Sequence, residues 1–314
     1  MWRYSYVSRR ERRFQPYWHQ ELEFSHNHIS KIEDLEVGPR GGSRIASLRV
    51  RVVNKKPIAA TSSYAAAYVF STDLLDETGA VRAVAWNAMA EKFSNRLKEG
   101  KCCTLKNVKV VRVKQGDEIY STVPKRIQVI LEEFSTAPSH PDIPAIPASY
   151  FNFTHLRDIE GLAANQRVDV VALVYQVGDV FDEKLTNDGD DRDGGMLEQK
   201  QHQKKGQGAQ EETVKARDIV LVDPTGQVTL RLWAEKAVQF GLHGDDDAAA
   251  PVMIVKDAIV KHLDEVKLSV GEISTILQNP THDRCRKLRA WWKERQRKGF
   301  EDMAEAVGTG GKCE

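Results

Sequence analysis

The stretch "LLDETGAVRAVAWNAMAEKF" runs from Leu74 to Phe93, and "LVDPTGQVTLRLWAEKAVQF" runs from Leu221 to Phe240. Laid over one another at an offset of 147, without gaps, these 20-residue windows agree at 8 positions: Leu, Asp, Thr, Gly, Val, Trp, Ala and Phe. Each opens on Asp-x-Thr-Gly, whose Asp and Gly favour a tight turn. Each then enters an alternating segment of the kind that makes a half-buried strand. A period of two sets Val81, Ala83 and Ala85 against Arg82, Val84 and Trp86. In the second copy it sets Val228, Leu230 and Leu232 against Thr229, Arg231 and Trp233. One face is apolar in both copies; the other carries an arginine and ends in a tryptophan.

Working outward, "IASLRVRVV" from Ile45 alternates as well, with Leu48, Val50 and Val52 on one face and Arg49 and Arg51 on the other. "YVFSTDLLD" and "AVRAVAW" are two strands joined at "DETG", followed by a short helix "NAMAEKFSNRL". Two further strands, "CTLKNVKVVRV" and "IYSTV", are expected around the turn "KQGDE". That order fits a small closed barrel with the helix plugging one end. "APSHPDIPAIPAS" then holds 4 prolines in 13 residues and reads as a semi-stiff linker.

Beyond the linker the same order begins again with "RVDVVALVYQV", "DIVLVD", "QVTLRLW", the helix "AEKAVQF", "VMIVKDAIV" and "KLSV". The repeat is therefore domain-sized. Residues 1–25 form a basic and aromatic tail, 26–137 a first barrel, 138–150 the linker, 151–280 a second barrel, and 281–314 a basic helix and tail. Within the second barrel, 182–212 is rich in Asp, Gly, Gln and Lys and is expected to be a disordered loop.

The chain has 314 residues, 41% hydrophobic and 29% charged, as expected of a globular protein with room for two cores. No apolar run approaches the length of a membrane span, and "MWRYSYVSRRERRF" lacks the apolar segment of a secretory signal. Cys102, Cys103, Cys285 and Cys313 have no metal-like spacing and read as the reduced thiols of an intracellular protein. The net charge is only +1, yet basic residues crowd both ends, from Arg3 to Arg13 and from Arg284 to Lys298. No nucleophile elbow, paired-carboxylate motif or phosphate loop is present, so no enzyme, metal or cofactor is expected. "GTGGK" lacks the first glycine and the hydroxyl residue of such a loop. His26 and His28 have no ligand cluster around them.

Arg and Trp on one open face suit the binding of a single strand. An indole stacks on any base, for roughly 1–3 kcal/mol, and guanidinium pairs with phosphate. On the residues alone, the tryptophans could equally pack against a loop or the other domain. Single-stranded RNA is as compatible as DNA, since stacking does not distinguish the sugars.

The serial phrases "RVRVVNKKPI", "FSTDLLDETGAVRAVAWN", "KNVKVVRVKQGDEIYSTV", "FNFTHLRDIEGL", "RDIVLVDPTGQVTLRLWAE", "KLSVGEISTILQNP" and "KLRAWW" resemble the tandem central DNA-binding domains of the replication protein A large subunit. The resemblance covers roughly Ile29 to Trp292. It implies an all-β protein of two tandem OB folds, five-stranded Greek-key barrels whose strand 2–3 face grips nucleic acid. It also implies single-stranded DNA as ligand, work in replication, repair or recombination in the nucleus, and other replication protein A subunits or repair proteins as partners. The family's stacking residues fall on Trp86, Tyr120 and Trp233, and its basic contacts on Arg82, Lys215 and Arg217, with Arg231 beside them. The rival is an OB-fold protein whose faces bind polypeptide, as telomere and meiosis factors do.

Three departures qualify the resemblance. The second barrel's second aromatic falls on Leu263, beside His262. The loop "AATSSYAAAY" offers only Tyr64 or Tyr68 where the family carries arginines and an aromatic. The family's N-terminal recruiting domain and zinc-bearing C-terminal domain are not matched, so its heterotrimer is not carried over. Acids at 182–193 sit where a loop should fold over the strand, and are expected to repel phosphate.

Overall fold

The computed structural model describes residues 29–61, 67–184, 213–242, 251–262, 265–271 and 273–308, with side chains through 298. The first barrel comprises β1 (Arg44–Val53), β2 (Ala59–Ala60), β3 (Tyr68–Leu75), β4 (Ala80–Trp86), α1 (Ala88–Arg96), β5 (Cys102–Arg112) and β6 (Ile127–Ile130). Strand β1 pairs with both β3 and β5, and β4 runs parallel to β6, so β1-β3-β4-β6-β5 closes on itself. The second comprises β7 (Arg167–Lys184), β8 (Thr213–Asp223), β9 (Gly226–Trp233), α2 (Ala234–Gln239), β10 (Val252–His262), β11 (Val266–Ser269) and β12 (Thr275–Gln278). It closes through β7-β8-β9-β11-β10 with β9 parallel to β11. Two closed five-stranded barrels with this order are tandem OB folds.

The alternation read from sequence fills each interior. Leu48, Val50, Val52, Val81, Ala83 and Ala85 are buried in the first core, and Phe93 of α1 joins them. Val228, Leu230 and Leu232 take the matching places in the second. The shared Asp explains why the turn is written twice. Asp76 Oδ1 accepts the Thr78 and Gly79 amides at 2.7 and 3.0 Å, and Asp223 Oδ1 accepts those of Thr225 and Gly226 at the same distances. The second carboxylate oxygen reaches outside the turn. Asp76 Oδ2 accepts the Ile32 amide at 2.6 Å, and Asp223 Oδ2 accepts that of Leu156 at 3.1 Å. The turn thus fastens the segment leading into each barrel.

Several sequence expectations change. "IYSTV" is not a strand: Gly116 takes a left-handed φ of 93°, Asp117–Tyr120 is a 3₁₀ turn, and the closing strand follows Pro124 as β6. Arg51 is buried rather than open, because the Pro-rich linker lies on it. Its guanidinium donates to Asp142 at 2.7 Å and to the Ile143 and Ile146 carbonyls at 3.0 and 3.1 Å. Ile146 packs with Val53, Leu75, Ala80 and Val123, so this linker is seated on the first barrel. Strand pairing in the second barrel continues to Lys184↔Thr213, which takes Asp182 and Glu183 out of the expected loop. Residues 185–212, the N-terminal tail and "HGDDDAAA" lie outside the described residues. Helix α3 (Asp283–Gly308) docks on the second barrel through Cys285 and Leu288, with Trp291 and Trp292 half-buried beside them.

The barrels meet across a polar seam. In β10 a bulge between Val255 and Ala258 puts Asp257 at φ 55° and buries it together with Lys256. Successive strand residues normally point to opposite faces; the extra residue of a bulge re-aims one of them. Asp257 accepts Asn54 Nδ2 at 2.9 Å and pairs with Lys56 of the first barrel. Lys256 lies 3.3 Å from Asp169, 3.9 Å from Asp73 and 3.1 Å from the Tyr150 carbonyl. Burial pushes the Asp73 and Asp169 carboxyls up, with Lys256 opposing it. Burial would do the same to Asp257, but the Lys56 and Lys256 charges hold it below the usual range.

Candidate nucleic-acid interface

On the first barrel the outer face of β4 carries Arg82 and, four residues on, Trp86. Trp86 is 43% exposed and sits opposite Val69 at the rim. Arg82 lies opposite Asp73 on β3 and Gln128 on β6. Its guanidinium donates to the Tyr120 carbonyl at 2.8 Å and to Ser71 Oγ at 3.2 Å. Burial lowers its pKa while Asp73 works the other way. Arg82 therefore anchors the 3₁₀ turn that presents Tyr120, whose ring is 42% exposed. Tyr68 is a third exposed aromatic residue at 53%, and its backbone carbonyl and amide are tied to Asn87 by hydrogen bonds of 2.8 and 3.0 Å. Tyr64 lies outside the described residues. The loop lysines are occupied: Lys55 donates to the Ser94 carbonyl at 2.7 Å, and Lys56 crosses to Asp257.

The second face is built differently. Trp233 is half-buried, and its Nε1 donates to Ser269 Oγ at 2.8 Å. Arg231 lies between two rings, 5.3 Å from the Phe181 centroid and 5.6 Å from that of Trp233. Its Nε and Nη2 donate to Asp218 at 2.8 and 2.9 Å, and its Nη1 is 3.2 Å from Glu183. The Asp218 hydrogen bonds raise its pKa. Lys215 pairs with Asp182 at 2.9 Å, and Lys267 with Glu265 at 3.1 Å. Arg217 donates to the Phe240 carbonyl at 2.6 Å, fastening the end of α2. The structure thus gives Arg217 and Arg231 partners inside the protein, where the sequence suggested phosphate. Phe181 beneath Arg231 is not singled out by the sequence, because it stands beyond the alternating run "RVDVVALVYQV", just before the expected 182–212 loop. His262 is exposed at the end of β10, and Leu263 lies outside the described residues.

The eight identities of the repeated phrase now divide by role. Leu74/Leu221, Val81/Val228 and Ala90/Ala237 are buried in the two cores, and Phe93/Phe240 pack against them. Asp, Thr and Gly make the turns. Trp86 and Trp233 alone belong to neither core. Among the described residues no group of three or more His, Cys, Asp or Glu side chains could hold a metal, and no helix is long and apolar enough to cross a membrane. Cys102, Cys103 and Cys285 are free and buried.

This is a tandem OB-fold protein with aromatic and cationic side chains on its strand 2–3 faces. No family model matches the chain. It is 28% identical over 244 residues to the mouse replication protein A 70 kDa DNA-binding subunit, covering 77% of this chain and 34% of that one. It is 26% identical over 245 residues to replication factor A protein 1 of Saccharomyces cerevisiae, with the same coverage. Among solved structures, a replication protein A heterotrimer bound to ssDNA aligns with a TM-score of 0.46 at 22% identity, over 85% of this chain and 55% of that one. The chain spans about a third of the length of these curated relatives. Over about three quarters of its length the chain is similar to the replication protein A large subunit, and both of its barrels are OB folds.

Proposed function

We propose that this protein binds single-stranded DNA along both barrels without strong sequence preference, as a non-enzymatic factor in nuclear replication, repair or recombination. Other replication protein A subunits are the partners this reading favours. The observation that carries it is the pair Trp86 and Trp233, the identities in the duplicated phrase that neither core accounts for. The relatives, named as a DNA-binding subunit, support the choice of ligand. The mechanism is base stacking on Trp86, Tyr120 and Trp233, with Tyr68 alongside. Arg82 holds the Tyr120 turn, and phosphate charge is met by the cations around these rings.

The test is a titration with matched ssDNA, dsDNA and ssRNA, followed by intrinsic tryptophan fluorescence at two salt concentrations. Trp86→Ala and Trp233→Ala should each weaken ssDNA binding about 5- to 150-fold, the range of one base stack. A double variant that keeps full ssDNA affinity would sink the stacking mechanism. Preference for ssRNA at both salts would change the ligand.

A further inference from the structure

Where the barrels meet there is a cleft of about 310 Å³, lined from the first barrel by Arg82, Asp117, Glu118, Lys125 and Arg126, and from the second by Arg167. Four cations face two carboxylates, so the cleft is net positive. One of the carboxylates is partly occupied, since Glu118 Oε2 accepts the Gly116 amide at 2.6 Å. Lys125 is held over the Ile32 and Glu33 carbonyls. Arg126 has no carboxylate within ion-pair distance among the described residues. The remaining lining includes the amide side chains of Gln128 and Gln166, which can donate to and accept from base edges. Its volume is at the small end of ligand pockets, enough for about one nucleotide.

The cleft is continuous with the first barrel's face through Arg82, which lines it and also anchors the Tyr120 turn. Its walls are held by the buried seam. Thr122 on one wall bonds Asn152 on the other through its carbonyl at 2.9 Å, and Lys256 reaches Thr122 Oγ1 at 3.5 Å. A cationic hollow between two docked binding modules offers a path for a strand leaving one to reach the other.

We infer that this seam cleft is a nucleotide subsite of its own, taking a backbone phosphate and its base as the strand crosses between barrels, with Arg126 as the phosphate contact. The inference rests on the single-strand reading of the two faces. A crossing subsite is felt only by strands long enough to cross, and that sets the test.

Wild type and Arg126→Gln are titrated with oligothymidine of about 6 nucleotides, which one OB fold accommodates, and of about 20, which spans two. Arg126→Gln should weaken the long strand about 5- to 10-fold and reduce the magnitude of its log–log salt slope by about 0.7, the value of one lost phosphate contact on a single strand. The short strand should be unaffected, and Arg126→Lys should restore the slope. An unchanged long-strand affinity, in a wild type whose binding depends on Trp86 and Trp233, overturns the subsite and leaves the faces standing. An equal loss on short and long strands also overturns it, by assigning Arg126 to the first barrel's own face. A wild type that binds neither strand removes both readings together.

Discussion

Lys56→Met probes whether the barrels are one body before any strand arrives. Lys56 has 13% of its side chain exposed and its partner Asp257 only 2%. Removing one member of such a buried pair typically costs about 3–5 kcal/mol, because the remaining charge loses its partner without regaining water. Pairing sharpens the expectation. Asp257 pairs with Lys56, and Asp73 and Asp169 lie beside Lys256, with the Arg82 and Arg167 charges also felt across the seam. Lys56→Met leaves the buried Asp257 without this partner, whereas Lys56→Met with Asp257→Leu removes both charges and keeps the net charge of the seam unchanged. The double variant should therefore be the milder, with a coupling of at least about 2 kcal/mol between the two positions.

Each barrel has its own core, so the seam can open without unfolding either one, and undocking limits how much of the penalty is observed. The assay is therefore rotational tumbling by NMR relaxation, alongside thermal melting. Wild type should tumble as one particle, Lys56→Met as two, and the double variant closer to wild type. Independent tumbling of the wild-type barrels, or a double variant as loose as the single, would refute the reasoning. Acid should act in two directions. Asp73 and Asp169, raised by burial, favour the folded state as pH falls through their raised values. Asp257, held low by its lysines, contributes above the ordinary aspartate value and loses that contribution as pH falls through its lowered one.

Two further outcomes are expected. Ala234 follows Trp233 at φ 50°, where the matching Asn87 of the first copy has φ 51°; alanine is strained there, so Ala234→Gly should raise the second barrel's stability by about 1 kcal/mol, read from denaturant melts, and destabilisation would contradict it. Asp182→Asn frees Lys215 from its carboxylate, so ssDNA binding should tighten and the salt slope steepen by up to about 0.7, one contact's worth; an unchanged slope would show that this cation never meets phosphate.

What could be read from the sequence was local. Period-two alternation identified β1, β3, β4 and β5 of the first barrel and β7 to β11 of the second, and Asp-x-Thr-Gly marked the turns that join β3 to β4 and β8 to β9. What could not be read depends on partners far along the chain. Arg51 alternates like a solvent-facing residue, yet Asp142, 91 positions on, buries it under the linker. Lys56 looks like a loop cation until Asp257, 201 positions on, is seen to take it. "IYSTV" has the β-branched composition of a strand, but a left-handed Gly116 before it and Pro124 after it leave only a 3₁₀ turn. Arg217 and Arg231 carry the right chemistry for phosphate, and no pattern within one sequence shows that Phe240 and Asp218 already hold them.

The same phrase thus supports two unequal faces. Around Trp86 stand two more open rings, Tyr68 and Tyr120, and stacking there needs no internal bond to break. Around Trp233, three cations, Lys215, Arg231 and Lys267, face four carboxylates, Asp182, Glu183, Asp218 and Glu265, and the indole itself is tied to Ser269. A strand reaching the second barrel must displace carboxylates from the cations that would meet its phosphates, which costs part of the electrostatic gain. Arg231, stacked between Phe181 and Trp233 and gripped by Asp218, is better placed to hold the indole in position than to meet the strand. Capture should therefore begin on the first barrel, with the second closing afterwards at an effective concentration set by the docked seam. On that order Trp86→Ala should slow association as well as weaken binding, whereas Trp233→Ala should act on dissociation alone.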